Sequence, residues 1–124
     1  MVDQTNNNDT SALALSVVVP VHNEADNLEP LIQEIQAALD GIVSYEIIYI
    51  NDYSRDGTPE KLVQLNRKID VLRVLTHNKQ SGQSAAVRSG VMAAGAPLVA
   101  TLDGDGQNNP ADIPNLLTAY QEQA

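Results

Sequence analysis

The 124-residue chain has no cysteine, no tryptophan and no phenylalanine, and its few aromatic side chains are four tyrosines. Without thiols it can form neither disulfides nor thiolate metal sites. Without Phe or Trp its core has to be built from Val, Ile, Leu and Ala, which suits stiff parallel strands covered by small-faced helices. Positive charge is scarce as well: 7 Lys and Arg stand against 16 Asp and Glu, a formal net charge of −9. That balance argues against a nucleic-acid partner, so any phosphate handled here must be managed through a cation or local backbone groups. No segment approaches the roughly 18 consecutive apolar residues of a membrane span. The N-terminus, MVDQTNNNDT, is acidic and polar instead of basic then apolar, so the expectation is a soluble, untargeted, cytoplasmic chain.

What is present is a regular alternation of short apolar runs and amphipathic stretches. Residues 1–13 are polar without period and are expected to be a disordered leader, with structure beginning at residue 14. Leu15 to Val21 and Tyr45 to Ile50 read as strands, apolar on both faces as in a buried parallel sheet. Between them Leu28, Leu31, Ile32, Ile35 and Leu39 recur at helical spacing, and Gly41 supplies a left-handed stop. Thr58 and Pro59 read as an N-cap and first-turn pair opening a helix with Leu62, Leu65 and Ile69 inward. Val71 to Leu75 is the third expected strand, Gln83 to Ala94 a helix ending at Gly95, Pro97 to Leu102 the fourth strand, and a last helix is expected after Asn109-Pro110. The fold class is therefore α/β: a Rossmann-like parallel sheet with right-handed connections and helices on both faces. With nothing after the fourth unit to close the sheet, residues 14–124 are expected to be the front portion of a longer domain, and its open edge to favour self-association.

In such sheets ligands bind beyond the carboxyl ends of the strands. Those ends are polar here: His22-Asn23-Glu24, then Asn51-Asp52-Tyr53, then His77-Asn78-Lys79, then Asp103-Gly104-Asp105-Gly106-Gln107. In an extended loop Asp103, Asp105 and Gln107 face one way and present three oxygen donors. Two carboxylates about 4 Å apart repel by roughly 4 kcal/mol at an effective dielectric near 20, which a cation between them would relieve. All-oxygen ligands point to Mg²⁺ or Mn²⁺. An EF-hand is excluded, since its glycine and its glutamate would fall on Asn108 and Pro114. A solvated Asp-Gly turn is the other reading of that loop. Asp52, directly after a central strand, is placed to accept hydrogen bonds from a ribose or base, and His22 to stack on a base. Gly82 and Gly90 fit close helix packing, Arg88 a helix-surface charge, and Asp56-Gly57 a turn into the second helix.

Three segments in order, LSVVVPVHNEADNL, INDYSRDGT and TLDGDGQNNPADIP, resemble the opening strand and Asn-Glu turn, the VDDGSxDGT motif and the Asp-x-Asp segment of family 2 glycosyltransferases with the GT-A fold. With NKQSGQSAAVRSG they are most similar to the transferases that load sugars onto dolichol- or undecaprenyl-phosphate. The resemblance implies that Pro20, His22, Glu24 and Asp52 hold the nucleoside of a GDP- or UDP-linked sugar, His22 standing where the family commonly has Tyr. It implies that Asp103, Gly104 and Asp105 contact the sugar-nucleotide, that Asp103 and Asp105 serve catalysis, and that Asp103, Asp105 and Gln107 hold Mg²⁺ or Mn²⁺. Asn51 and Tyr53 depart from the family's usual Asp and Gly. The implied reaction is inverting transfer of a hexose to a lipid phosphate at the cytosolic face of a membrane, with this front portion alone inactive. Rival readings are a polysaccharide or other lipid-glycan acceptor, a metal-dependent nucleotidyltransferase, and a non-catalytic nucleotide-binding module. No G-x-G-x-x-G follows the first strand and no P-loop motif is present, which excludes the common dinucleotide and nucleoside-triphosphate cradles.

Overall fold

The computed structural model of the chain describes residues 13–104 together with Pro110 and Ile113. Four strands, β1 (Leu15–Val21), β2 (Tyr45–Asn51), β3 (Leu72–Thr76) and β4 (Leu98–Thr101), form one sheet in the order β3-β2-β1-β4. Every pairing is parallel, with Leu15 opposite both Tyr45 and Leu98, and Ile47 opposite Leu72. Helices α1 (Leu28–Leu39), α2 (Thr58–Lys68) and α3 (Gln83–Ala93) connect the strands. A single 3-10 turn, Ala25–Asn27, precedes α1.

The two faces follow from the period of two along each strand. Val17, Val19 and Val21 of β1, with Ile47 and Tyr49 of β2, meet Leu31, Ile32 and Ile35 of α1 and Leu62 and Leu65 of α2. Val18, Ile48 and Ile50 point the other way and meet Ala86 of α3. The expected α/β sheet with helices on both faces is therefore the observed one, and all five apolar positions read for α1 are buried. Tyr49 is wholly buried, and among the described residues its hydroxyl has no hydrogen-bond partner. Desolvation pushes its phenol well above the usual range, so it stays protonated.

Element ends differ from expectation in identifiable ways. Gly57, not Thr58, is the N-cap of α2. Thr58 is the first helical residue, its N–H donates to Asp56 Oδ1 (2.9 Å), and its own hydroxyl accepts from Glu24 N (3.1 Å). The cap is thus an Asp side chain two residues upstream, and the Asp56-Gly57 turn is as read. α3 ends at Ala93 without a left-handed glycine, because Ala94 is extended and the Gly95 N–H is taken by the Glu46 carboxylate at 2.7 Å. Gly41, by contrast, has φ +78° as expected of a stop. The expected helix after Pro110 and the leader over residues 1–12 lie outside the described residues.

At the amino edge of the sheet sits a buried polar cluster. Glu46, 5% exposed, accepts from Ser16 Oγ (2.6 Å), Gly95 N (2.7 Å) and Arg73 Nη1 (2.8 Å). Ser16 Oγ in turn accepts from Ala96 N (3.1 Å). Burial alone would raise the Glu46 pKa, but these donors outweigh it and hold the carboxyl below its usual range. The cluster ties β1, β2, β3 and the entry to β4 at the edge opposite the site.

Candidate functional site

Parallel strands bring their carboxyl ends to one edge, and there a cleft of about 200 Å³ opens between the ends of β1, β2 and β4 and the start of α3. Pro20, Val21, His22 and Glu24 line it from β1, Asp52 from β2, Gly82, Gln83 and Ala86 from α3 and its approach, and Asp103 and Gly104 from β4. The structure thus gathers Pro20, His22, Glu24, Asp52, Asp103 and Gly104 from segments up to 84 positions apart. Asp105 and Gln107 lie outside the described residues, and among the described residues no group of three His, Cys, Asp or Glu side chains forms a metal cluster.

Two absences shape the junction of β1 and the end of β4. Leu102 N donates to Val18 O at 3.0 Å, so the polar groups of even-numbered β1 residues face β4. Pro20 is the next such residue; β4 pairing has ended by then, and its lack of an N–H leaves no donor unpaired. Opposite it, a Cβ on Gly104 would fall 2.4 Å from Val21 Cγ1 and 2.8 Å from Pro20 O. Only glycine fits there without displacing the loop that carries Asp103.

Asp52 is 4% exposed. Its Oδ1 accepts from His77 Nδ1 (2.8 Å) and Ser81 N (2.9 Å), and its Oδ2 from Gly82 N (2.8 Å). Burial would raise its pKa; the three donors outweigh burial and hold the carboxyl below its usual range. Asp52 is therefore a carboxylate at neutral pH, and the proton on His77 Nδ1 is the one it accepts. His77 Nε2 meets Ser89 Oγ at 2.8 Å, which anchors the imidazole to α3. Ser81 and Gly82 open α3, where the partial positive charge of the helix end adds to the attraction. Gly82 has φ +97° with open space around its missing Cβ, so its need is conformational, not the helix packing first read for it. Gly90 does serve packing: a Cβ there would lie 2.4 Å from Val18 Cγ1. Arg88 is exposed on α3, as read.

The β1 and β2 loops are zipped together. His22 Nδ1 donates to Asp52 O at 2.7 Å, Asn23 N to Ser54 Oγ at 2.9 Å, and Arg55 N to Asn23 Oδ1 at 2.8 Å. Asn51, where the family motif has Asp, is buried and accepts from Ser54 N at 2.9 Å. Tyr53, where the motif has Gly, holds φ +60° with its ring under the Arg55 guanidinium at 5.7 Å. Glu24 accepts from Asn27 Nδ2 at 2.7 Å. The sequence reading placed His77 at this edge without a role and missed the parts played by Ser81, Gln83 and Ser89. The available cue was a Ser-Gly pair opening a helix beside a strand that ends in an acid.

The sequence profile of the family described as Glycosyl transferase family 2 matches residues 16–124. The chain is 35% identical over 125 residues to a dodecaprenyl-phosphate galacturonate synthase of Rhizobium johnstonii, covering 94% of this chain and 35% of that protein. It is 38% identical over 109 residues to a dolichol-phosphate mannosyltransferase of Pyrococcus furiosus, covering 88% of this chain and 30% of that one. Among solved structures, a mannosyltransferase from Pyrobaculum calidifontis, in complex with GDP-Man and Mn²⁺, superposes with a TM-score of 0.75 at 22% identity over 87% of this chain and 32% of its own. The chain spans about a third of the length of the curated relatives it matches.

Proposed function

The chain belongs to glycosyl transferase family 2, and from that premise we propose that it forms the nucleotide-sugar end of an inverting, metal-dependent transferase that loads a hexose onto a polyprenyl phosphate. The observation that supports this most is the single cleft shared by Pro20, His22, Glu24, Asp52, Asp103 and Gly104, in a chain whose relatives are named for lipid-phosphate acceptors. His22 and Asp52 face the nucleoside, Asp52 offering an anionic acceptor that its own donors hold in place. Asp103 and Gly104 face the diphosphate, Gly104 letting the loop that carries Asp103 pack closely on Pro20 and Val21.

A carboxylate at the cleft, followed in sequence by Asp105 and Gln107, is an oxygen donor set that fits Mg²⁺ or Mn²⁺. When bound, such an ion supplies Lewis-acid stabilisation of the departing diphosphate. An acceptor phosphate oxygen attacks the anomeric carbon as the bond from that carbon to the diphosphate oxygen breaks. The nucleoside diphosphate leaves with the electron pair, and the configuration inverts. The acceptor is already anionic at neutral pH, so no side chain has to remove a proton, and what the protein contributes is placement and charge neutralisation. No described helix is long and apolar enough to cross a membrane; we place the reaction at the cytosolic face, where the lipid acceptor is presented. The 124 residues alone are expected to bind donor without transferring sugar.

Calorimetric titration of the chain with GDP and UDP, in Mn²⁺, in Mg²⁺ and in chelator, tests the donor site. Tighter binding with cation is expected, and equal affinity with and without it would remove the metal from the account. Radiolabelled nucleotide-sugar offered with polyprenyl phosphate to this chain, and to one extended to its relatives' length, tests the reaction.

A further inference from the structure

Gln83 is the first residue of α3 and lies at the cleft, and its Nε2 donates to Asp103 Oδ1 at 2.9 Å. We propose that Gln83 is a positioning residue, which orients the Asp103 carboxylate for a divalent cation and the diphosphate it carries. The inference rests on the donor-site reading above and adds to it a residue outside the Asp-x-Asp segment.

Three features support it. The first is rigidity: the backbone that delivers Gln83 is fixed on one side by Asp52, which accepts from Ser81 N and Gly82 N. Further along, α3 is pressed onto Val18 and Ile50 through Gly90. The amide therefore projects from a fixed helix start, and Asp52 at the nucleoside end is joined to Asp103 at the diphosphate end through two consecutive residues, Gly82 and Gln83. The second is charge. A carboxamide donates a hydrogen bond without bringing a positive charge, so it restrains Asp103 while leaving the carboxylate's charge for a cation. A Lys or Arg here would neutralise Asp103 and repel the ion. The third is geometry: Asp103 lies two residues past the end of β4, a four-residue strand, and ligating carboxylates are generally held by hydrogen bonds of the kind that Gln83 donates.

The test uses Gln83→Ala and Gln83→Met, the second keeping length and volume while removing the donor. Each is titrated with GDP and with UDP, in Mn²⁺ and in excess chelator, and the ratio of the two dissociation constants is read. Both substitutions are at an exposed helix start, and circular dichroism melting checks that each variant folds. Loss of a ligand-orienting hydrogen bond typically costs about 10- to 100-fold in metal affinity. The ratio is expected to fall about tenfold or more in each variant, the Mn²⁺ arm weakening far more than the chelator arm. A merely structural role would weaken both arms together and leave the ratio intact, which overturns the proposal. A ratio that rises would show that Gln83 competes with the cation, and overturns it too. If the wild-type chain itself shows no metal enhancement, the donor-site reading has failed first, and the two failures are distinct.

Discussion

At the scale of single residues, the cleft is organised by a buried acid that holds three protein donors. Asp52 holds His77, Ser81 and Gly82 at once, so Asp52→Ala should cost at least about 1.5–3 kcal/mol, the range for one hydrogen bond to a charged group. The cost should depend on pH with a definite sign. Because the folded pKa is depressed, the stabilisation is complete above the ordinary carboxyl value near 4 and is lost as pH falls through the folded value. Urea unfolding at pH 7 should therefore separate wild type from variant, and at pH 3 the gap should narrow; a gap independent of pH would contradict the assignment. Tyr53 makes the opposite case. A left-handed φ costs a non-glycine residue about 1–2 kcal/mol, while glycine gains roughly 0.4–1 kcal/mol of unfolded-chain freedom. Tyr53→Gly should be neutral to slightly stabilising, unless the Arg55 contact contributes more than this strain. A loss of unfolding free energy beyond about 1 kcal/mol, the upper value for an exposed cation–π contact, would show that it does.

At the scale of elements, α3 is the part that propensity describes least well. Gly90 in its interior lowers helix propensity by about 1 kcal/mol relative to Ala, yet a Cβ there would meet Val18 Cγ1 at 2.4 Å and Ile50 Cδ1 at 2.7 Å. Overpacking typically costs about 1–3 kcal/mol. Gly90→Ala should therefore lower the melting temperature despite the better helix former, because α3 would have to lift from the sheet. A raised melting temperature would show that the sheet side chains yield. Since α3 also carries Gly82 and Gln83 to the cleft, the same substitution should weaken nucleotide binding, measurable on the same sample.

At the scale of the molecule, stability and site chemistry sit at opposite edges of the sheet. The Glu46 cluster, at Ser16, and the cleft, at Val21, are separated by five residues of β1, about 17 Å of strand. Glu46→Gln weakens the bonds to Ser16, Gly95 and Arg73 and should destabilise by about 1–3 kcal/mol. The dissociation constant for nucleoside diphosphate should not change. Denaturant unfolding and calorimetry on the one variant check both halves, and a shifted binding constant would mean that the two edges are coupled through β1 and β2.

The order of strands and helices, the two-sided burial of β1 and β2 and the inward face of α1 were legible in the chain, because side-chain periodicity is local and the burial it implies follows directly. Val17 and Val18 read as opposite faces from their numbers alone. The family was legible for a related reason, since its motifs are contiguous runs placed immediately after strands. Parallel pairing then required that residues after each strand share an edge. The partners of those residues were a different matter. That Asp52 is held by His77 and by the amides of Ser81 and Gly82, that Gln83 reaches Asp103, and that Glu46 gathers Ser16, Arg73 and Gly95 depend on contacts across 20 to 49 positions. No local pattern encodes such distances. The end of α3 likewise went to Glu46, a neighbour that only the packed sheet supplies, whereas the cap of α2 is Asp56, two residues upstream. The sequence by itself determined which elements form and which polar strand ends share an edge; the tertiary structure decided which polar groups there hold one another, because hydrogen bonds are settled by proximity in space and not along the chain.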